Sequence, residues 1–148
     1  MKRTCVLVAC VVWSSAFVAL AQSAAAPAAT KVKFDDASRI QLSAVVDEIE
    51  QRSLGGKCKA AGVVVLVTAN GQSFALEVGP KWFIDQLSWT FTKGDNLEIT
   101  GWKIGKEDRN EVVVRKITRG EWSLEPRDDK GAANWLWMAA PKDTGKCM

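Results

Sequence analysis

The pair Asn70-Gly71 constrains the fold more than any other feature of the sequence. It separates a β-branched run, residues 62–69, from residues 72–79, in which apolar and polar side chains alternate. Asn-Gly between two such runs is typical of a type I′ turn, whose twist matches that of an antiparallel pair of strands. The sequence therefore predicts a β-hairpin over residues 62–79.

The residues after this hairpin predict a short helix and then another strand. Proline is well suited to the start of a helix, and the aromatic residues that follow have the bulk to close the end of a small sheet. A Gly-Asp turn then leads into a strand over residues 96–104. The residues with predicted structural roles are Gly79, Pro80, Trp82, Phe83, Gly94, Asp95 and, near the end of the chain, Trp135.

The segment before the hairpin has two conflicting patterns. Within residues 38–52, Leu42, Val45 and Ile49 follow helical spacing, whereas Ile40, Leu42 and Val46 belong to an alternating, strand-like series. Local spacing slightly favours a helix. Residues 111–118 and 121–125 read as further strands. A strand over residues 40–50 completes a mainly β architecture, a five-stranded OB-fold (Greek-key) barrel with one short helix between strands 3 and 4. We therefore predict that fold.

The N-terminus has the pattern of a cleavable export signal. Lys2 and Arg3 precede an apolar stretch, and Ala19-Leu20-Ala21 places small residues at a signal-peptidase site. We expect a signal peptide over residues 1–21, an Ala-rich flexible spacer over 22–37, the barrel domain over 38–137 and a tail over 138–148. The mature protein would be periplasmic or secreted, with no membrane span after cleavage.

Two of the four cysteines leave with this signal peptide. Cys58 and Cys147 remain, and a pair of cysteines in an oxidising compartment predicts one disulfide. The alternative is two free thiols.

Composition excludes several classes of activity. The chain has no histidine and no tyrosine, so Ser-His-Asp and Cys-His nucleophiles and imidazole-bound metals are excluded. We expect no enzyme activity, no cofactor and no metal. Loss of Lys2 and Arg3 with the signal peptide leaves 18 basic and 17 acidic residues, a net charge of +1. A chain so close to neutral lacks the basic character typical of proteins that bind nucleic acid.

Four motifs stand out along the chain: Gly79-Pro80-Lys81-Trp82-Phe83-Ile84, Gly94-Asp95 with residues 97–101, residues 112–117, and Arg127-Asp128 with Gly131 and Trp135. Together they resemble a family of small exported bacterial OB-fold domains that includes the magnetosome MamS/MamX-type domain. The resemblance covers about residues 40–135. It implies a periplasmic binding or assembly module and carries no catalytic residue.

Four side chains are candidates for ligand binding. Trp102 lies on the polar side of its strand beside Lys103, and an exposed indole next to Lys103 or Arg115 is typical of surfaces that stack on sugars or bases. Arg115 and Arg127 have the geometry to bind a phosphate or a carboxylate. The structural alternative is that Trp102 packs at an edge and that the arginines pair with carboxylates or carbonyls.

The leading functional hypothesis is a non-enzymatic module that binds a partner protein or a small polar or glycan ligand. One alternative is a protein that binds single-stranded nucleic acid, as other OB-folds do. Another is an envelope stress or assembly factor within a larger complex.

Overall fold

The computed structural model describes residues 33–54, 58–104 and 110–144. Within these ranges the chain forms six strands, one short α-helix and one 3₁₀ helix. In chain order these are β1 (Arg39–Ser53), β2 (Ala61–Ala69), β3 (Gln72–Pro80), α1 (Lys81–Gln86), β4 (Asn96–Ile104), β5 (Glu111–Arg119), β6 (Trp122–Leu124) and the 3₁₀ helix (Asn134–Trp137).

The strands form one sheet whose pairings return on themselves. The order is β3-β2-β1-β4-β5-β6, and neighbours in this order are antiparallel. In addition, Ala75–Glu77 of β3 pairs in parallel with residues 111–113 of β5. The pairings β1-β2-β3-β5-β4 therefore close a ring of five strands. The mainly β class and the single short α-helix between β3 and β4 are confirmed.

The sheet has six described strands, one more than the predicted five-stranded plan. The additional strand, β6, lies within the segment 121–125 that was predicted to be a strand; it is three residues long and pairs with Ile117–Arg119 of β5. Gly120 has a φ of +60° and forms the turn between the two strands. This short hairpin arm extends beyond the ring.

The hairpin predicted from Asn70-Gly71 is present. Both residues have positive φ, 51° and 75°, as a type I′ turn requires. The flanking pairs Ala69–Gln72 and Thr68–Ser73 are in register.

Residues 39–53 form one long strand, so the alternating pattern prevails over the helical spacing. The first half of β1 pairs with β4 and the second half with β2, with an irregularity in register between Val46 and Glu48. Ala44 and Val46 are buried, whereas Val45 and Ile49 are 41% and 40% exposed. Pairing with strands on both sides explains why this segment is a strand. If it formed a helix, the edges of β2 and β4 that now pair with β1 would lack hydrogen-bond partners.

Helix α1 closes one end of the ring. Pro80 caps it, so the helix begins one residue later than predicted. Phe83 and Ile84 are each 3% exposed, and the Phe83 ring lies 5.6 Å from that of Trp135. Gly79 permits this packing, because a Cβ atom there would lie 2.8 Å from Trp135 Cζ3.

The Gly94-Asp95 turn joins three parts of the chain. The Gly94 amide donates to the Val46 carbonyl at 2.8 Å. Asp95 Oδ2 accepts from the Thr92 amide at 3.0 Å and from Arg119 Nη1 at 2.8 Å. The hydrogen bond from Arg119 lowers the pKa of Asp95. The turn thus fixes the start of β4 against β1 and β5.

The main core lies inside the ring. It consists of the inward side chains of the strands together with those of α1 and the 3₁₀ helix. Its members include Val46, Val65, Val67, Phe74, Leu76, Val78, Phe83, Ile84, Leu97, Ile99, Val112, Ile117, Leu124 and Trp135.

Three predictions concern residues that the structure does not describe. The signal peptide and most of the spacer lie outside the described residues, as does Cys147. In the part of the chain that is described, no helix has both the length and the apolar character needed to cross a membrane.

Candidate functional site

Trp102 lies on the face of β4 opposite the core, as its alternation predicts, but it is buried. Only 1% of it is exposed. Its ring lies 5.0 Å from that of Phe34 in an edge-on arrangement, and the Arg39 guanidinium lies 5.6 Å from its centre. The expectation of an exposed indole is therefore wrong, because residues before β1 fold back over this face. The described contacts leave no indole surface open for stacking on a ligand.

Arg127 is a buried cation enclosed by aromatic rings. It is 8% exposed, and its guanidinium lies 4.7 Å from the Trp135 ring and 5.7 Å from the Phe34 ring. Nη1 donates to the Gly131 carbonyl at 3.2 Å, and Nη2 lies 3.8 Å from Glu77 Oε1. Burial lowers the pKa of Arg127 and raises that of Glu77, while the attraction between the two opposes both shifts.

Arg115 is paired with a carboxylate. Its Nε donates to Asp129 Oδ1, and Arg39 Nη2 lies 3.7 Å from the same oxygen. The hydrogen bond from Arg115 lowers the pKa of Asp129. Lys103 differs from the other candidates, because its side chain is exposed; its backbone amide donates to the Ser38 carbonyl at 2.8 Å.

The segment 126–133 carries two of these charged side chains and is held by its own hydrogen bonds. Asp128 Oδ1 accepts from the amides of Lys130, at 2.9 Å, and Ala132, at 2.8 Å. Gly131 has a φ of +83°, and a Cβ atom there would overlap the Phe34 ring. The turn is thus shaped so that Phe34 can pack directly on its backbone.

Three of the four predicted ligand-binding residues therefore come together, but in a structural cluster. We call it the arginine–aromatic cluster; Arg39 and Arg115 pair with Asp129, and Arg127 is stacked between rings. This matches the structural alternative for the arginines, with Asp129, Glu77 and the Gly131 carbonyl as partners. Its members are Phe34, Arg39, Trp102, Arg115, Arg127, Asp129 and Trp135.

A second surface, which we call the apolar end, consists of Leu87, Leu136 and Trp137. Their exposed fractions are 46%, 52% and 91%. Leu87 directly follows α1, whereas Leu136 and Trp137 belong to the 3₁₀ helix, and these two helices are joined by the packing of Phe83 on Trp135. They are also joined by a hydrogen bond of 3.2 Å from Gln86 Nε2 to the Ala139 carbonyl. The three exposed side chains thus flank one helix–helix contact.

A third surface, which we call the acidic groove, lies on the outer face of the sheet. Glu48, Leu66, Ala75 and Glu111 are aligned in one row across β1, β2, β3 and β5. They line an open cleft of about 450 Å³ together with Asp47, Ser73, Phe74, Lys93 and Asn110. Within the described ranges, no group of three or more acidic or cysteine side chains is arranged to hold a metal ion.

Sequence reasoning missed both of these surfaces. Trp135 and Trp137 lie two residues apart, but only Trp135, at 3% exposed, is buried. The helical turn between them points the two indoles in different directions, and no local pattern distinguishes them. The acidic groove depends on strand register, which alternation within one strand does not specify.

Comparison with known proteins identifies one relationship. The profile of the MamS/MamX magnetosome protein family matches residues 41–124, which extends from β1 to the end of β6. Searches of curated proteins and of solved structures found no match.

Proposed function

This chain belongs to the MamS/MamX magnetosome protein family, and we propose that it is a non-enzymatic, exported module that binds a partner protein through its apolar end. The observation that carries this proposal is the 91% exposure of Trp137 beside the exposed Leu136.

An exposed tryptophan of this kind favours a protein partner. Trp buries a large apolar area when it is covered, and it is enriched among the few residues that dominate binding energy. Burial of apolar surface contributes roughly 25 cal/mol per Å². Leu136, which precedes Trp137 in the chain, and Leu87, which follows α1, are also exposed, and exposed apolar surface of this kind marks interaction sites in soluble proteins. The apolar end therefore has the composition of the centre of an interface.

The scaffold of this module is proposed to be an OB-fold barrel. The strand pairings run β1-β2-β3-β5-β4 and back to β1, and α1 lies between β3 and β4. An OB-fold is a five-stranded Greek-key barrel, and this connectivity supports that assignment. In such a scaffold β6 and the 3₁₀ helix are additions to the five-stranded plan, and Leu124 and Trp135 from them pack in the core.

Export is supported by the N-terminal sequence. The basic pair Lys2-Arg3, the apolar stretch and Ala19-Leu20-Ala21 follow the order of a secretory signal. The mature protein would begin at Gln22 and act in the periplasm or outside the cell.

The fate of the charged residues favours protein binding over the other hypotheses. The arginines predicted to hold a phosphate are engaged with Asp129 and Glu77. The outer face of β1, β2, β3 and β5 carries four glutamates, Glu48, Glu50, Glu77 and Glu111. Negatively charged side chains repel the phosphate backbone of nucleic acid. The absence of histidine from the sequence, together with the pairing of these arginines, supports a role without catalysis.

The test is site-specific photo-crosslinking in the native envelope. A photoreactive amino acid replaces Trp137 in one variant and Trp122 in a second, which serves as the control. Trp122 is also exposed, at 73%, but belongs to β6 and not to either helix. We expect a discrete protein adduct from position 137 and none of the same mass from position 122. Adducts from both positions, or only lipid adducts from position 137, would overturn the proposal.

A further inference from the structure

The acidic groove has carboxylates on both sides of an apolar floor. Glu48 pairs in register with Leu66, Leu66 with Ala75, and Ala75 with Glu111. Adjacent strands are about 4.8 Å apart, so the backbones of the two glutamates are separated by roughly 14 Å, measured across the sheet. Leu66 and Ala75 lie between them and are both partly exposed. The row thus presents a negative charge, an apolar strip and a second negative charge.

These two glutamates differ from the other carboxylates of this face. In the next row, Glu50 pairs with Arg52, whose Nη2 lies 2.6 Å from its carboxylate, and Glu77 faces Arg127. Asp47 Oδ2 accepts from the Thr68 hydroxyl at 2.7 Å. Among the described residues, no ion pair links Glu48 or Glu111 to a basic side chain. The lining of the cleft includes one basic side chain, Lys93, against three acidic ones, Asp47, Glu48 and Glu111, so its acidic side chains are in excess.

We propose that the acidic groove binds a lysine- or arginine-containing segment of a partner protein. The methylene groups of a lysine or arginine side chain would cover Leu66 and Ala75, and its cationic end would reach Glu48 or Glu111. The cleft, about 450 Å³, has room for two or three side chains of such a segment. Ser73 and Asn110 also line the cleft; Asn110 Nδ2 donates to the Ser73 carbonyl at 3.2 Å, and the side-chain oxygens of both residues are polar groups for the backbone of that segment.

Charge complementarity selects this occupant over others. A polyanion is repelled by the glutamates, and a purely apolar segment would leave them desolvated without a partner. The mature chain, with 18 basic and 17 acidic residues, carries a net charge of +1, so it has no general attraction for a basic ligand. Affinity for a basic segment therefore has to come from a local surface, and this face supplies one.

The experiment measures binding of a fluorescent peptide that alternates lysine and alanine over 12 residues. Fluorescence anisotropy is recorded with the mature protein at low salt, for the wild type and for two double variants. One is Glu48→Gln with Glu111→Gln. The other is the control Glu98→Gln with Glu121→Gln, which removes the same charge from β4 and from the β5–β6 turn.

We expect the groove variant to bind the peptide about tenfold more weakly than the wild type, and the control within about twofold, since loss of one good charge pair is worth about a factor of ten. Equal weakening in both double variants, or no binding by the wild type, would overturn the proposal. Circular dichroism verifies that each variant is folded. The Trp137→Ser variant should bind the peptide as the wild type does. This experiment therefore tests the acidic groove independently of the proposed function of the apolar end.

Discussion

The Arg127 guanidinium lies 4.7 Å from the centre of the Trp135 ring, so a cation from the segment after β6 is stacked on an indole that belongs to the core. The same guanidinium faces Glu77 on β3. Glu77 is one of the three residues through which β3 pairs with β5. The arginine–aromatic cluster thus fastens the C-terminal segment to the place where the ring of strands closes.

Replacing Arg127 with methionine is expected to destabilise the fold. The change keeps most of the side-chain volume but leaves Glu77 partly buried without its cation. Breaking a fully buried pair costs 3–5 kcal/mol, and because the Glu77 side chain is 39% exposed we expect about 2 kcal/mol. Urea unfolding of the mature protein measures the loss.

The double variant Arg127→Met with Glu77→Gln provides the control for this pair. It should recover about half of the lost stability, because the uncompensated charge is gone. If the two single effects simply add, Arg127 and Glu77 do not interact.

Titration of Glu77 should make the fold less stable as the pH rises, which is the opposite of the effect of a carboxylate with a lowered pKa. Burial raises its pKa, with a smaller contribution from Glu111 and an opposing one from Arg127. The folded chain therefore holds this proton more tightly than the unfolded chain. The resulting stabilisation is present below about pH 4.3, the ordinary value for glutamate, and declines as the pH rises through the folded pKa.

The Glu77→Gln variant isolates this effect. We expect its free energy of unfolding to increase relative to wild type as the pH is raised from about 4 to 7, because glutamine carries no charge that has to be buried. Asp95 and Asp129 have lowered pKa values and act in the opposite sense, but they are unchanged in the comparison. A difference that stays constant across this range would show that Glu77 does not titrate abnormally.

Gly131 should be less tolerant of substitution than Gly120, although both have positive φ. The left-handed backbone alone costs an alanine about 1 kcal/mol. A Cβ atom at Gly120 would have no other atom within 4 Å, whereas at Gly131 the Phe34 ring has to move. We expect losses of about 1 kcal/mol for Gly120→Ala and about 3 kcal/mol for Gly131→Ala in urea unfolding. Equal losses would mean that Phe34 contributes little to the cluster.

We propose that Cys58 and Cys147 form a disulfide in the mature protein. Cys58 is 9% exposed, and the amide of its neighbour Lys59 donates to the Thr144 carbonyl at 2.7 Å. Three residues span at most about 11 Å, so this contact leaves Cys147 within reach of Cys58. Thiol titration of the denatured, unreduced protein should find no reactive thiol per chain, and two after reduction. Two thiols before reduction would refute the bridge.

Prediction from the sequence was most successful at residues whose type restricts the backbone to a few conformations. Asn70-Gly71 and Pro80 have specific backbone requirements, and the turn and helix appear at these positions. The long strand β1 was harder to predict, because its local pattern also fits a helix. Residues 39–53 form a strand and not a helix because they pair with both β2 and β4.

The candidate site was less predictable, because it depends on what covers each face. Alternation placed Trp102 on the outer face, but it could not show that Phe34 and Arg39, from far earlier in the chain, fold over it. Similarly, Glu48 and Glu111 line the same groove only because the register of four strands aligns them in one row. Contacts of this kind are set by tertiary structure and have no local signature.

The most direct test of the proposed function is quantitative co-purification from the native envelope, with the mature chain carrying either Trp137→Ser or Trp122→Ser. Both changes remove an exposed indole, so neither should alter the fold. We predict that the partner protein captured by the wild type is retained by Trp122→Ser and reduced at least tenfold by Trp137→Ser. Equal recovery with both variants would contradict the assignment of the apolar end as the binding surface.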